Sequence, residues 1–80
     1  MDKNIIFETI KEIFVSEFQV NAELVTPENR LEDDLGLDSL DMVEVLNCLK
    51  DYIGEKVDPG MFKEARTVQN AVDLLQHLWK

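Results

Sequence analysis

GLDSLDMVEVLNCLKDYIG, residues 36–54, sets a serine between two acids, just after a glycine and at the head of an apolar repeat. Leu40, Val43, Leu46, Leu49 and Ile53 recur at steps of three and four, which lines one face of an α-helix. The spacing predicts a helix over about 39–53, with Asp38 as N-cap, Asp41 as its box-like partner three residues on, and Gly54 as the stop. Upstream, Ile6, Ile10, Ile13 or Phe14, and Phe18 predict a helix over about 3–18 behind Asp2. Downstream, Thr67 caps a last helix carrying Ala71, Val72, Leu74, Leu75, Leu78 and Trp79. Between them, VDPGMFKEAR (57–66) allows one short helix with Pro59 in its first turn. No segment alternates with period two for long enough to form a strand, so the expected fold class is all-α, a small helical bundle.

One connection is unusual for a bundle. Residues 19–37, QVNAELVTPENRLEDDLGL, far exceed the two to eight residues common between packed helices. Val20, Leu24, Val25, Leu31, Leu35 and Leu37 could pin this segment across the bundle, with a turn of helix after Pro27. Eighty residues suit one domain, 1–80, that buries only about 60% of the surface of its unfolded chain. Repeats, linkers and low-complexity tracts are absent from the sequence.

Charge narrows the function. Seventeen Asp and Glu against eight Lys and Arg give a net −9. Seven of those acids, with Arg30 as the one base, lie between Glu28 and Glu44, around Ser39. Nucleic acid and anionic membranes are bound through Lys and Arg, so this balance argues against both and for basic protein partners. The N-terminal residues interleave charge with apolar side chains, unlike a signal peptide, and no stretch is apolar enough to span a bilayer. A single cysteine, Cys48, permits no internal disulfide and fits a reducing, cytoplasmic setting.

Catalysis finds little to work with. A serine nucleophile needs a base and oxyanion donors, whereas the neighbours of Ser39 are Asp38 and Asp41, which oppose an alkoxide. His77, the one histidine, reads as a surface or half-buried residue of the last helix. Cys48 reads as a small buried thiol beside the core. A calcium loop starting at Asp33 would place Glu44 at position twelve, but Leu35 and Leu37 occupy ligand positions and Asp38 stands where glycine is needed. No catalytic residue and no dedicated metal site are expected. With Asp38 suited to the cap, the Ser39 hydroxyl is left free for presentation to another enzyme.

LEDDLGLDSLDMVEVLNCLKDYIG (31–54) resembles the signature of acyl carrier proteins, with Gly36, Asp38, Ser39, Leu40, Val43, Glu44 and later Thr67 and Val68 in matching order. The resemblance covers nearly the whole chain. It implies a four-helix bundle of acyl-carrier type, with a long loop between helices one and two and a short third helix. It further implies that Ser39 carries a covalent 4′-phosphopantetheine whose thiol holds acyl groups as thioesters. Asp38, Asp41 and Glu44 would meet basic patches on a phosphopantetheinyl transferase and on acyl-loading, condensing and acyl-transfer enzymes, the carrier acting as a monomer. An acyl pocket would be lined by Val43, Leu46, Leu49, Phe62 and Ala65. Phe62 and Ala65 depart from the sizes usual in the family, and Asn47, Lys50 and Gly60 blunt the usual partner face. The changes at Asn47, Lys50 and Gly60 favour a stand-alone carrier of a specialised fatty-acid or polyketide-like pathway, and those at Phe62 and Ala65 a remodelled pocket. The alternative is an acidic helical adaptor that carries no prosthetic group.

Overall fold

The apolar spacing near the N-terminus closes into α1 (Lys3–Phe18) in a computed structural model that describes residues 2–53, 60 and 64–79. Asp2 caps it by accepting from the Asn4 N–H at 2.8 Å, and Ile6, Ile10 and Phe14 are fully buried. Of the alternatives Ile13 and Phe14, the phenylalanine takes the core, while Ile13 and Phe18 pack at its margin. The helix stops where Gln19 turns left-handed (φ 58°), letting the Val20 N–H donate to the Phe14 carbonyl at 3.1 Å.

The long connection is packed, as its leucines and valines suggest. Val20, Val25, Leu31, Leu35 and Leu37 are buried, whereas Leu24 is exposed. Its helical turn lies at Ala22–Leu24, before Pro27, as a short 3₁₀ segment behind Asn21. After Pro27 the chain forms turns and one isolated bridge instead of a helix, because its backbone groups find partners in the segment around residues 66–69. Val68 N–H donates to the Asn29 carbonyl, Gln69 N–H to that of Pro27 and Leu31 N–H to that of Arg66, at 2.8–3.0 Å. The connection is thereby stitched to the start of the last helix, α4 (Val68–Leu78), where Arg30 and Thr67 form an antiparallel bridge.

The central helix differs from its expected length and phase. α2 runs Ser39–Cys48, and Leu49 (φ −97°, ψ 0°) breaks the helix before a single further turn, α3 (Lys50–Ile53). The buried stripe is Met42, Val45, Leu46, Leu49 and Ile53, so two members of the expected stripe leave the core: Leu40 is 75% exposed and Val43 only half-buried. Met42, Val45, Leu46 and Leu49 are themselves spaced i, i+3, i+4, i+7, a second apolar face one step round the helix. Cys48 is exposed, a correction to its reading as a buried thiol. Position 48 falls outside the buried face that the core selected.

α4 behaves as expected. Thr67 and Asn70 form a capping box, and Val68, Ala71, Val72 and Leu75 are buried against α1. Gly54 and Pro59 lie outside the described residues, as does most of the segment 57–66 expected to hold a short helix. Among the described residues the chain is all-helical, with no strand and no helix long and apolar enough to cross a membrane.

Candidate functional site

The approach to Ser39 is a tight turn. Asp34 and Leu35 N–H groups return to the Arg30 carbonyl, Gly36 N–H to that of Glu32, and Leu37 N–H to that of Leu31 at 2.8 Å. Gly36 has φ +74°, a conformation that favours glycine. Leu37 then drops into the core and Asp38 starts α2.

Asp38 and Asp41 act on each other. The Asp38 carboxylate accepts the Asp41 N–H at 2.9 Å, and the Asp41 carboxylate accepts the Asp38 N–H at 3.2 Å, a reciprocal box of the kind the spacing suggests. Ser39 is left at the first helical position, exposed, and its Oγ makes no hydrogen bond among the described residues. The backbone N–H groups of Ser39 and Leu40 are likewise open. Glu44, one turn on, is exposed and unpaired among the described residues. The site therefore presents a free hydroxyl and two free N–H donors inside a collar of acids.

Beside Ser39 lies a groove of about 290 Å³. Leu31, Leu37, Met42 and Ala65 supply its apolar lining, and Arg30, Arg66, Glu32, Asp33 and Asp38 its polar lining. Sequence reasoning did not find Arg30 and Arg66 as site residues. They come from two segments thirty-odd residues apart, and only the backbone pairing of 29–31 with 66–68 brings them together.

Of the residues expected to hold an acyl chain, Ala65 is half-buried and lines this groove with Ser39. Leu46 and Leu49 are buried in the core at 6% and 0% exposure, Val43 is half-buried, and none of the three lines the groove. Phe62 lies outside the described residues. His77 is exposed on α4, and among the described residues no group of three or more His, Cys, Asp or Glu is placed to hold a metal ion.

Residues 8–75 match the family described as "phosphopantetheine attachment site". The chain is 36% identical over 74 residues to the acyl carrier protein of Saccharopolyspora erythraea, covering 92% of this chain and 78% of that protein. It is also 36% identical over 78 residues to acyl carrier protein 2 of Ralstonia nicotianae, covering 98% and 96%. The matched span contains the capped serine, the packed connection and α4 up to Leu75. By both the family match and the extent of these likenesses, the chain belongs to the acyl carrier protein family, whose members are carriers of a covalently attached 4′-phosphopantetheine and not catalysts.

Proposed function

We propose that Ser39 is the residue that holds the 4′-phosphopantetheine arm. The observation that carries this is the exposed, unbonded Ser39 Oγ at the head of α2, within the matched span and beside a groove. The residues present fit the group. A phosphodiester on Ser39 would meet the open N–H groups of Ser39 and Leu40 at a helix N-terminus, an arrangement worth about 0.3–1 kcal/mol for an anion. When bound, the arm supplies a thiol on which acyl groups travel as thioesters. The chain's own part is to hold that arm at a fixed point and to be recognised.

Recognition falls to the acids. A phosphopantetheinyl transferase and biosynthetic enzymes are the partners that the family implies, and Asp38, Asp41 and Glu44 around Ser39 suit basic patches on them. Exposed charge of this kind speeds encounter and allows quick release, which suits a monomeric shuttle that must leave each enzyme. Leu40, 75% exposed between Ser39 and Asp41, adds an apolar contact in the middle of that face. The free, exposed Cys48 is in keeping with a reducing cytoplasm. The carrier is a single domain, 1–80, and serves fatty-acid or polyketide-like synthesis, with Val43, Leu46, Leu49, Phe62 and Ala65 as the side chains an acyl group would meet.

Intact mass tests the attachment. The parent and Ser39→Ala are incubated with coenzyme A, magnesium and a broad-specificity transferase. One phosphopantetheine on the parent and none on Ser39→Ala is the expected result. No addition to folded parent, while a known carrier is modified alongside, would overturn it.

A further inference from the structure

The groove beside Ser39 carries two of the chain's eight basic residues, in a neighbourhood otherwise dominated by acids. Backbone pairing puts them there, through Leu31 N–H on the Arg66 carbonyl at 2.8 Å and the bridge from Arg30 to Thr67. Arg30 already has a partner, the Asp33 carboxylate at 3.2 Å. Arg66 has none: its side chain makes no hydrogen bond or ion pair among the described residues, although Glu32, Asp33 and Asp38 line the same groove.

We propose that this groove seats the first part of the Ser39-linked arm, with Arg66 holding its phosphodiester, a reading that rests on the attachment to Ser39 proposed above. A phosphodiester on Ser39 enters a field set by Asp38, Asp41, Glu32 and Asp33, which repels it. A guanidinium with its donors free offsets that repulsion, and its forked N–H groups match two phosphate oxygens. The covalent tether keeps the phosphate local, so even a partly solvated contact is populated. Beyond the phosphate, the apolar floor of Leu31, Leu37, Met42 and Ala65 suits the arm's gem-dimethyl segment. A volume of about 290 Å³ is at the lower end for small-molecule sites, enough for part of the arm and not for an acyl chain as well. Arg66 is thus a positioning residue that keeps the arm along the wall of the connection until a partner draws it away.

The test compares parent, Arg66→Ala and Arg66→Lys, each with and without the arm, after intact mass has shown complete modification. Attachment is expected to raise the melting temperature of the parent by about 2–4 °C at low salt, the size an exposed ion pair gives in a domain of this length. That gain should fall by at least about half in Arg66→Ala and in roughly 0.5 M salt, with Arg66→Lys keeping part of it. An Arg66 that served the fold alone would shift both forms equally and leave the gain unchanged. Nuclear Overhauser contacts from the arm's methyl groups to Met42 and Ala65 are expected in the modified parent. Complete modification with the same gain in parent and Arg66→Ala, or with no such contacts, overturns the seat while leaving the attachment standing. A parent that gains no mass beside a modified control overturns the attachment, and the seat with it.

Discussion

Asp38 and Asp41 cap one another, each carboxylate accepting the other's backbone N–H at 2.9 and 3.2 Å. Two acids proposed above for partner recognition therefore also hold the N-terminus of the helix that presents Ser39. Replacing a capping side chain with alanine costs about 1 kcal/mol. Asp38→Ala and Asp41→Ala should each lower the urea midpoint accordingly, whereas Glu44→Ala, which removes no bond, should leave it unchanged. Equal midpoints for all four proteins would show that the box contributes nothing.

Charge and cap can be separated by isosteres. Asparagine caps a helix as well as aspartate does, so Asp38→Asn keeps the fold and removes only the charge. Together with Glu44→Gln it should slow transfer of phosphopantetheine by roughly 3–30-fold at low salt, through the encounter rate, with the difference shrinking as salt rises. A salt-independent loss would point to a direct contact in place of steering.

The capped ends were the most legible part of the fold. Asp2 and Thr67 sit directly ahead of their helices as capping residues, and both helices begin where expected. α2 was ambiguous because residues 40–53 contain two apolar stripes, and period alone does not choose between 40/43 and 42/45. Packing chose: Met42 and Val45 meet the core, and Leu40 is turned to solvent beside Ser39. The connection was readable as packed from its leucines and valines, yet its partners were not, since its pairing with 66–69 joins backbone groups and leaves no mark in side-chain pattern. For the same reason Ser39, Asp38 and Asp41 stood out as a local motif, while Arg30 and Arg66 did not.

Two left-handed residues should respond oppositely to substitution. Gly36 has φ +74° with nothing within 4 Å of where a Cβ would stand, so Gly36→Ala suffers from backbone strain alone, about 1 kcal/mol. Asparagine tolerates this region better and should recover part of the loss. Gln19 holds φ 58° at the end of α1, so Gln19→Gly should stabilise by about 0.5 kcal/mol, the relief being partly offset by greater freedom of the unfolded chain. Thermal melts of the three variants decide the signs.

Asp73 ties the middle of α4 to the start of α1. Its carboxylate accepts from Lys3 Nζ at 2.8 Å and Gln69 Nε2 at 2.9 Å, and these two bonds, Lys3 first, hold it below its ordinary pKa of 3.8. A depressed carboxylate stabilises the fold above that ordinary value, and the contribution is lost as pH falls through the lower folded value. Both side chains are about half exposed, so the pair contributes only about 0.2–1 kcal/mol. Asp73→Asn should therefore melt slightly below the parent at pH 6, and the gap should close as pH drops below 3.8. A gap that persists at pH 2 would mean that the carboxylate's charge is not its source.

An acyl chain is the most demanding guest for this core. Leu46 and Leu49 are closed off from solvent, so a chain entering between them must part packed side chains, at about 1–3 kcal/mol. Against that, each CH₂ removed from water contributes roughly 0.8 kcal/mol. An acetyl group should thus leave the melting temperature of the loaded protein unchanged, and stabilisation should set in between about three and five carbons and grow with length. Leu46→Ala sharpens the argument, because it costs about 2–4 kcal/mol by leaving a cavity that a chain could refill. Decanoyl loading should then raise the melting temperature more in Leu46→Ala than in the parent. If stabilisation is flat with length in both proteins, the chain stays outside and these residues are core alone.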